Sequence, residues 1–162
     1  MTEKLEPALD RFVIRAAEPS AELPQSVRAL GDLQKLPARE PLHELTLKSG
    51  PRGESAWLAI AQQLQGGNVY PVLIDHRGET HYPTGEVTVR FEHTPSADSL
   101  RHFGESQGLL LERANPYAPQ QFVFVPIHPT QEYLPRLVDR LARLPGVRRA
   151  WANTLTRFRR GT

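Results

Sequence analysis

The chain has 162 residues and is 39% hydrophobic, so it can bury a core but hardly more than two small domains. Its 20 basic and 18 acidic side chains give a net charge of +2, which is too small to make nucleic acid the default partner. The absence of cysteine excludes disulfides, thiol catalysis and thiolate metal sites.

The first residues lack the apolar run of a secretory signal, and no stretch of 18 apolar residues occurs. The sequence as written therefore predicts a cytoplasmic protein with no membrane association. An extracellular location is expected instead if the chain is a processed fragment of an exported precursor.

Residues 10–82 predict an N-terminal α+β unit, whose elements follow from strand alternation and helical spacing. In chain order they are a strand at 11–15, a helix with Leu23, Val27 and Leu30 on one face, a strand at 42–48, a helix at 54–64, and a hairpin of 69–75 with 80–82 turned at Gly78. Trp57 lies on the apolar face of the second helix and is expected to be buried. Pro83 and Thr84 mark the predicted boundary.

Asp75, His76 and His81 flank the predicted hairpin turn. A metal or acid–base site is one interpretation, and ordinary turn and surface positions are the other. The remaining histidines are scattered without a zinc signature, and the glycine pair at 66–67 precedes a strand rather than a helix, so it does not form a phosphate-binding loop. The sequence predicts neither a metal nor a cofactor.

Residues 84–155 predict a second α+β unit in the order strand, helix, strand, strand, helix, strand. Its elements are a strand at 86–92, a short helix begun by Pro95 and Ser96 and weakened at its end by Gly104 and Gly108, strands at 109–111 and 122–125, a helix with Leu134, Leu137, Val138 and Leu141 on one face, and a strand at 147–152. Pro135 fits the second helix only within its first turn. Right-handed crossovers would place both helices on one face of a four-stranded antiparallel sheet. With the first and third strands central, this is the ferredoxin-like βαββαβ sandwich.

The N-terminal half repeats part of this pattern of helices, turns and strands. LQGGNVYP at 64–71 lies between a predicted helix and a predicted strand, as LPGVRRAW does at 144–151. We interpret residues 10–82 as a second, degenerate ferredoxin-like unit. The alternative is that strand–helix–strand units resemble one another by chance.

The pentapeptide GESQG at 104–108 fits the G-x-S-x-G pattern of a hydrolase nucleophile elbow around Ser106. That elbow needs a strand before the serine and a helix after it, and the predicted order here is the reverse. No catalytic residue is therefore predicted, and the chain is expected not to be an enzyme.

Three segments carry a family resemblance: TGEVTVRF at 84–91, NPYAPQQF at 115–122 and LPGVRRAWAN at 144–153. Together they resemble propeptides of subtilisin-like serine proteases, of the fervidolysin type, over residues 84–155. The resemblance implies a non-catalytic inhibitor and intramolecular chaperone of such a protease, acting in cis or in trans. On this view an extracellular chain would be a processed fragment of an exported protease.

The resemblance also implies two contact regions. The sheet would pack on surface helices of the protease through Thr88, Arg90 and Glu92. The C-terminal segment would lie in the active-site cleft, with contacts from Asn153, Thr154, Leu155 and Thr156. The basic tail at 156–162 departs from the family, because related segments often carry acidic residues after the Pro-Gly-Val turn.

The alternative function is a ferredoxin-like regulatory or protein-interaction module with no protease partner. RNA binding through Phe122 and Phe124 would need glycine and basic residues around them, which this sequence lacks, and core burial explains both side chains. Trp151 is expected to be structural, with an interface role as the alternative. An open sheet edge in each half makes a dimer plausible.

Overall fold

The computed structural model describes residues 4–18, 22–37, 42–64 and 66–155. Within these ranges the chain forms eight strands and four helices. The strands are β1 (Glu6–Arg15), β2 (Gly31–Lys35), β3 (Leu42–Leu47), β4 (Asn68–Ile74), β5 (Thr80–Phe91), β6 (Leu109–Ala114), β7 (Gln121–Pro126) and β8 (Val147–Leu155), and the helices are α1 (Gln25–Arg28), α2 (Gly53–Ala61), α3 (Ala97–Gln107) and α4 (Leu134–Ala142). Strand pairs with a defined register are antiparallel, and the predicted α+β class is confirmed.

The described part of the chain divides into two compact units. Unit 1 contains the residues up to Pro83 together with Thr154 and Leu155, and unit 2 is Thr84–Asn153. β5 crosses this boundary as one strand, whereas the sequence predicted separate strands on the two sides of Pro83. Proline has no N–H to donate, but Pro83 lies between the residues that pair with β4 and those that pair with β7, so it does not interrupt the strand.

In unit 1 the strands lie in the order β2-β3-β1-β4, and the start of β5 pairs with β4. α2 packs on β1 and β4. The indole Nε1–H of Trp57 donates a 2.9 Å hydrogen bond to the carbonyl oxygen of Val69. Trp57 is buried, as the sequence predicted. Phe12, Val13 and Ile14 on β1 are also fully buried, so β1 lies at the centre of this core.

The first helix of unit 1 is much shorter than predicted. α1 is one turn of four residues, and its N-cap, Pro24, makes no side-chain cap hydrogen bond. β2 follows it, a strand that was not predicted because its residues show little apolar alternation. Gly31 allows β2 to approach β3, since a Cβ there would lie 1.9 Å from the carbonyl oxygen of Thr46.

In unit 2 the strands lie in the order β8-β5-β7-β6, so the first and third strands of the unit are central, as predicted. Val87 pairs with Phe124 and Val89 with Phe122, which puts these four side chains on one face. Phe103 on α3 packs against Phe124 with 5.4 Å between the ring centroids. α3 therefore covers the apolar face of this sheet.

The two helices of unit 2 have clear sequence signals at their ends. The Ser96 hydroxyl caps α3 by accepting the N–H of Ser99 at 3.1 Å, and Gly108 ends the helix with φ +69°. α3 has 11 residues, so the predicted short helix is wrong. Gly104 does not weaken it but allows close packing, because a Cβ there would lie 2.8 Å from the carbonyl oxygen of Leu109.

α4 contains Pro135 in its first turn, where the missing N–H costs no helical hydrogen bond, as predicted. Its apolar stripe of Leu134, Leu137 and Leu141 is buried. The Arg140 guanidinium donates to the side chain of Gln107 at the end of α3, so the two helices lie side by side.

Candidate functional site

A cluster of polar side chains lies on the face of the unit 2 sheet opposite the phenylalanines. Thr88 Oγ1 donates a 2.7 Å hydrogen bond to Asn153 Oδ1, and Asn153 Nδ2 donates to Glu86 Oε1 at 3.3 Å. The Thr84 hydroxyl donates to the backbone carbonyl of Asn153 at 3.4 Å. These bonds join β5 to β8. Together with Arg113 we call these residues the polar cluster.

Arg113 on β6 holds the other side of Glu86. Its Nη1 and Nη2 donate to the two carboxylate oxygens at 2.6 and 3.0 Å. This bidentate contact raises the pKa of the Arg113 guanidinium, so the guanidinium stays charged. Because the pair is solvent-exposed, it contributes more to the orientation of Glu86 than to stability.

A β-bulge brings Arg113 to this face. Leu111 is in the regular register of β6, but the next paired residue is Arg113, opposite Val123 on β7. Val123 is also the partner of Thr88 on β5. Since directly paired side chains share a face, Arg113 and Thr88 lie on the same side of the sheet, and Glu112 is the extra residue of the bulge.

Trp151 on β8 adds an aromatic surface beside the polar cluster. The Arg149 guanidinium lies over its ring, 5.2 Å from the centroid, and both side chains are half-buried. Strand alternation places Trp151 on the same face as Asn153, two residues along the strand. This face thus combines an aromatic ring, a cation and a neutralised carboxylate.

The three sheet-face contacts expected from the sequence have different environments. Thr88 is buried and engaged with Asn153, so it organises the face rather than meeting a partner directly. Arg90 is half-buried, and its Nε–H has no hydrogen-bond partner within the described residues. Glu92 is exposed beyond the end of β5, where its N–H donates to the carbonyl oxygen of Gly146.

The residues expected to contact the protease cleft do not form a free tail that begins at Asn153. Asn153, Thr154 and Leu155 belong to β8, which pairs with β5, and the Asn153 side chain is part of the polar cluster. Thr156 lies outside the described residues. A segment that enters a cleft would therefore start after Leu155.

A second candidate site is the β4–β5 turn of unit 1, where Asp75 and His81 meet. Asp75 Oδ2 lies 2.9 Å from His81 Nε2, and Asp75 Oδ1 accepts the N–H groups of Arg77 and Glu79 at 2.8 and 3.0 Å. The hydrogen bond with His81 and those two backbone bonds lower the pKa of the Asp75 carboxyl. The carboxylate ties the turn together and orients the imidazole.

This pair supplies half of an acid–base site. A buried carboxylate that orients a histidine is the arrangement used by catalytic dyads, but it needs a nucleophile or substrate group next to the other ring nitrogen. Among the described residues, no group of three or more His, Asp or Glu side chains is placed to hold a metal ion. The geometry is that of a side chain that stabilises its own turn, with Asp75 bonded to the turn backbone and to His81.

Sequence reasoning missed a buried polar network in unit 1. Arg11 Nε donates to Glu44 Oε2 at 2.7 Å, and the Tyr82 hydroxyl donates to Glu44 Oε1 at 2.9 Å. Burial raises the pKa of the Tyr82 hydroxyl, and the Glu44 carboxylate raises it further. Arg11 reaches Glu44 from the irregular stretch of β1 where its pairing with β4 shifts. The only sequence signal was an acidic residue within an otherwise apolar strand.

Ser106 lies in the last turn of α3, and its hydroxyl donates to the carbonyl oxygen of Phe103 at 3.1 Å. β6 follows the serine, so a helix precedes it and a strand follows it. The strand–serine–helix order of a nucleophile elbow is therefore not the one observed.

No protein-family model, no curated protein and no solved structure matches the chain. Among the helices of the described residues, none is both long and apolar enough to cross a membrane.

Proposed function

We propose that the chain is a non-catalytic, propeptide-like protein that binds a subtilisin-like serine protease as an inhibitor, as a folding chaperone, or as both. The observation that carries the proposal is the coincidence of two features in unit 2. The three family-like segments occupy β5, the turn into β7 and the start of β8. The same unit has the succession βαββαβ and the strand order β8-β5-β7-β6.

We infer from these orders that unit 2 is a ferredoxin-like sandwich, since that fold has its first and third strands central. Unit 1 has the same succession and, read from its outer strand β2, the same strand order, β2-β3-β1-β4, as unit 2 read from β6; this supports a second, degenerate unit of the same kind. A protease propeptide of this type has its helices on one face of the sheet and docks through the other.

The face with the polar cluster is the docking face in this proposal. The opposite face is occupied by α3 and the phenylalanines and is not available to a partner. Trp151 and Arg149 offer a half-buried aromatic ring and a cation, the residue types that dominate binding energy at protein interfaces. Thr88 and Asn153 fix β8 beside β5, so Trp151 is held in place before binding.

The inhibitory segment follows β8. A strand that leaves the sheet at Leu155 can continue into the cleft edge of a protease and bind there through main-chain hydrogen bonds. It would inhibit because a product-like strand fills the cleft without presenting a bond in attacking geometry. Its arginines, at 157, 159 and 160, favour a cleft with acidic subsites.

The test is the residual activity of a panel of subtilisin-like proteases titrated with the full chain and with a version that ends at Leu155. We expect inhibition by the full chain and its loss on truncation, because only the cleft segment is removed. A chain that ends at Leu155 keeps Asn153 and its hydrogen bond with Thr88, so the unit 2 fold is preserved. Circular dichroism provides the folding control.

The docking face is tested separately by Trp151→Ala in the full chain. We expect the inhibition constant to rise roughly tenfold or more, since truncating a central interface tryptophan commonly costs 2 kcal/mol or more. Leu58→Ala on α2 is the matched control, because it removes an exposed apolar side chain outside unit 2. Equal inhibition by both variants would count against this face.

The second candidate function is a regulatory or interaction module without a protease partner. It is favoured by the concentration of exposed apolar side chains on the β6–β7 hairpin, which marks an interaction surface independent of any cleft. Absence of inhibition across the panel, with the chain left intact by every protease, would select this candidate.

A further inference from the structure

Most of the exposed large hydrophobic side chains of the described chain lie on or directly beside the β6–β7 hairpin. There are seven in all, and four of them are Leu110 at 57%, Leu111 at 43%, Tyr117 at 95% and, immediately after β7, Ile127 at 53%. Leu110 pairs with Val125, so Leu110 and Ile127 share the face of the polar cluster. This concentration indicates an interaction surface.

β6 is also an open edge. It is the last strand in the sheet order, and among the described residues it pairs with β7 alone. The Ile127 N–H donates to the carbonyl oxygen of Gly108 at 3.0 Å, and the Asn115 N–H donates to that of Gln121 at 3.1 Å. These two bonds fix which residues of β6 turn their backbone groups toward β7.

Backbone direction alternates along an antiparallel ladder. Counting from the Gly108–Ile127 bond, Leu110 faces β7 and Leu111 faces away from it. Counting back from the Asn115–Gln121 bond, Ala114 faces away as well. Because the bulge at Glu112 shifts the alternation, Leu111 and Ala114 both present free N–H and C=O groups at the edge.

We propose that this edge pairs with the same edge of a second copy of the chain, antiparallel and across a two-fold axis. Setting Leu111 of one copy opposite Ala114 of the other joins two of the outward-facing residues of each strand in hydrogen-bonded pairs. The same register sets Glu112 of each copy opposite Arg113 of the other. Both main-chain and charge complementarity are thus satisfied by one strand and its own copy.

The charges of Glu112 and Arg113 favour a second copy of the chain as the partner at this edge. The charge of Glu112 helps to raise the pKa of the neighbouring Arg113 guanidinium, but Glu112 forms no ion pair within the described residues. Arg113 has its Nη1 and Nη2 on Glu86 and keeps its Nε–H for another acceptor. In the paired register Glu112 becomes that acceptor. Leu110 and Leu111 are covered by the second strand at the same time.

The outer strand of unit 1, β2, shows how an edge is protected. Its five residues are mostly polar, and the Asp32 carboxylate on it forms a 3.3 Å ion pair with Lys48. Short length and charged side chains are the devices that keep edge strands from pairing. β6 has three consecutive leucines instead. We therefore assign self-association to unit 2.

The test is sedimentation equilibrium of the full chain. A small edge contact binds weakly, so we expect a reversible dimer with a dissociation constant between about 10 µM and about 1 mM. Leu111→Lys and Glu112→Arg should each raise the dissociation constant at least tenfold. Leu58→Lys on α2, the same chemical change at an exposed leucine outside the hairpin, should leave it unchanged.

Charge exchange gives a further readout. Glu112→Arg chains and Arg113→Glu chains should each be mainly monomeric, and mixing them should restore a heterodimer, because every facing pair is then Arg with Glu. A chain that stays monomeric at about 1 mM, or a dimer that neither Leu111→Lys nor Glu112→Arg weakens, would overturn the proposal. So would a monomer whose Leu111→Lys variant loses protease inhibition, since the edge would then belong to the protease contact.

Discussion

Unit 1 and unit 2 have the same succession of strands and helices, but they fill their interiors with different chemistry. Unit 2 packs Phe91, Phe103, Phe122 and Phe124 between its sheet and α3, and its polar cluster lies on the other face. Unit 1 places a carboxylate, Glu44, in its interior. The comparison teaches that one succession of elements tolerates a buried charge only where partners on neighbouring strands reach it.

The helices differ for local reasons. α3 begins at a serine cap, ends at a glycine in the left-handed region and has 11 residues. α1 begins after Pro24 without a side-chain cap and has four residues. A single turn gains few helical hydrogen bonds, so α1 depends on its burial of Val27 for stability.

The largest effect expected is that of Phe124→Ala. Phe124 is fully buried and packs against Phe103, so its truncation should lower the free energy of unfolding by about 3 to 5 kcal/mol. Each unit contains one tryptophan, Trp57 or Trp151, so urea unfolding followed by fluorescence of single-tryptophan variants reports on each unit separately. If the units are energetically distinct, the Trp151 transition shifts and the Trp57 transition does not.

Glu44→Ala tests the buried network of unit 1. It leaves Arg11 and the Tyr82 hydroxyl without their acceptor, and since Arg11 is partly exposed we expect a loss of about 3 kcal/mol. Asn153→Ala in the polar cluster of unit 2 should cost about 1 kcal/mol. Urea denaturation measures both losses of unfolding free energy, with Glu92→Ala as the exposed control. Equal losses for Glu44→Ala and Asn153→Ala would contradict the contrast between the two units.

Ser96→Ala removes the cap of α3 and should cost about 1 kcal/mol. Ser106→Ala, in the same helix, removes a hydroxyl that bonds only within the last turn and should change stability by less than about 0.5 kcal/mol. Thermal unfolding measures both. A larger loss for Ser106→Ala would assign this serine a role that the helix geometry does not explain.

The smallest expected effect is a change in the pH dependence of stability when Asp75 is substituted. Its pKa in the folded chain is lowered from 3.8, so the ionised carboxylate contributes stability above that value, and the contribution is lost as the pH falls through the folded pKa. Asp75→Asn keeps the hydrogen-bonding shape without the titration. The stability difference between the two chains, measured in urea, should shrink from pH 6 to pH 3.

Asp98→Asn provides the control for this experiment, because Asp98 is exposed on α3 and forms its ion pair with Arg101, which is also exposed. A constant difference at Asp75 across the same range would mean that the turn is held by the backbone bonds alone.

Much of the fold could be predicted where a local signal was strong. Alternation located β3, an uninterrupted apolar run located β7, Ser96 and Gly108 marked the ends of α3, and Pro135 at the start of α4 was tolerated as expected. The candidate site was predictable only in outline. Thr88 and Asn153 were named separately, but their hydrogen bond depends on the pairing of β5 with β8, 65 residues apart.

The sequence by itself determined the α+β class, the burial of Trp57 and the apolar stripe of α4, because these follow from periodicity and side-chain size. Only the tertiary structure decided the Glu44 network, the continuous β5 and the bulge at Glu112. Each of these depends on which strands become neighbours and in what register. Register is fixed by the burial of whole faces rather than by any short stretch of sequence.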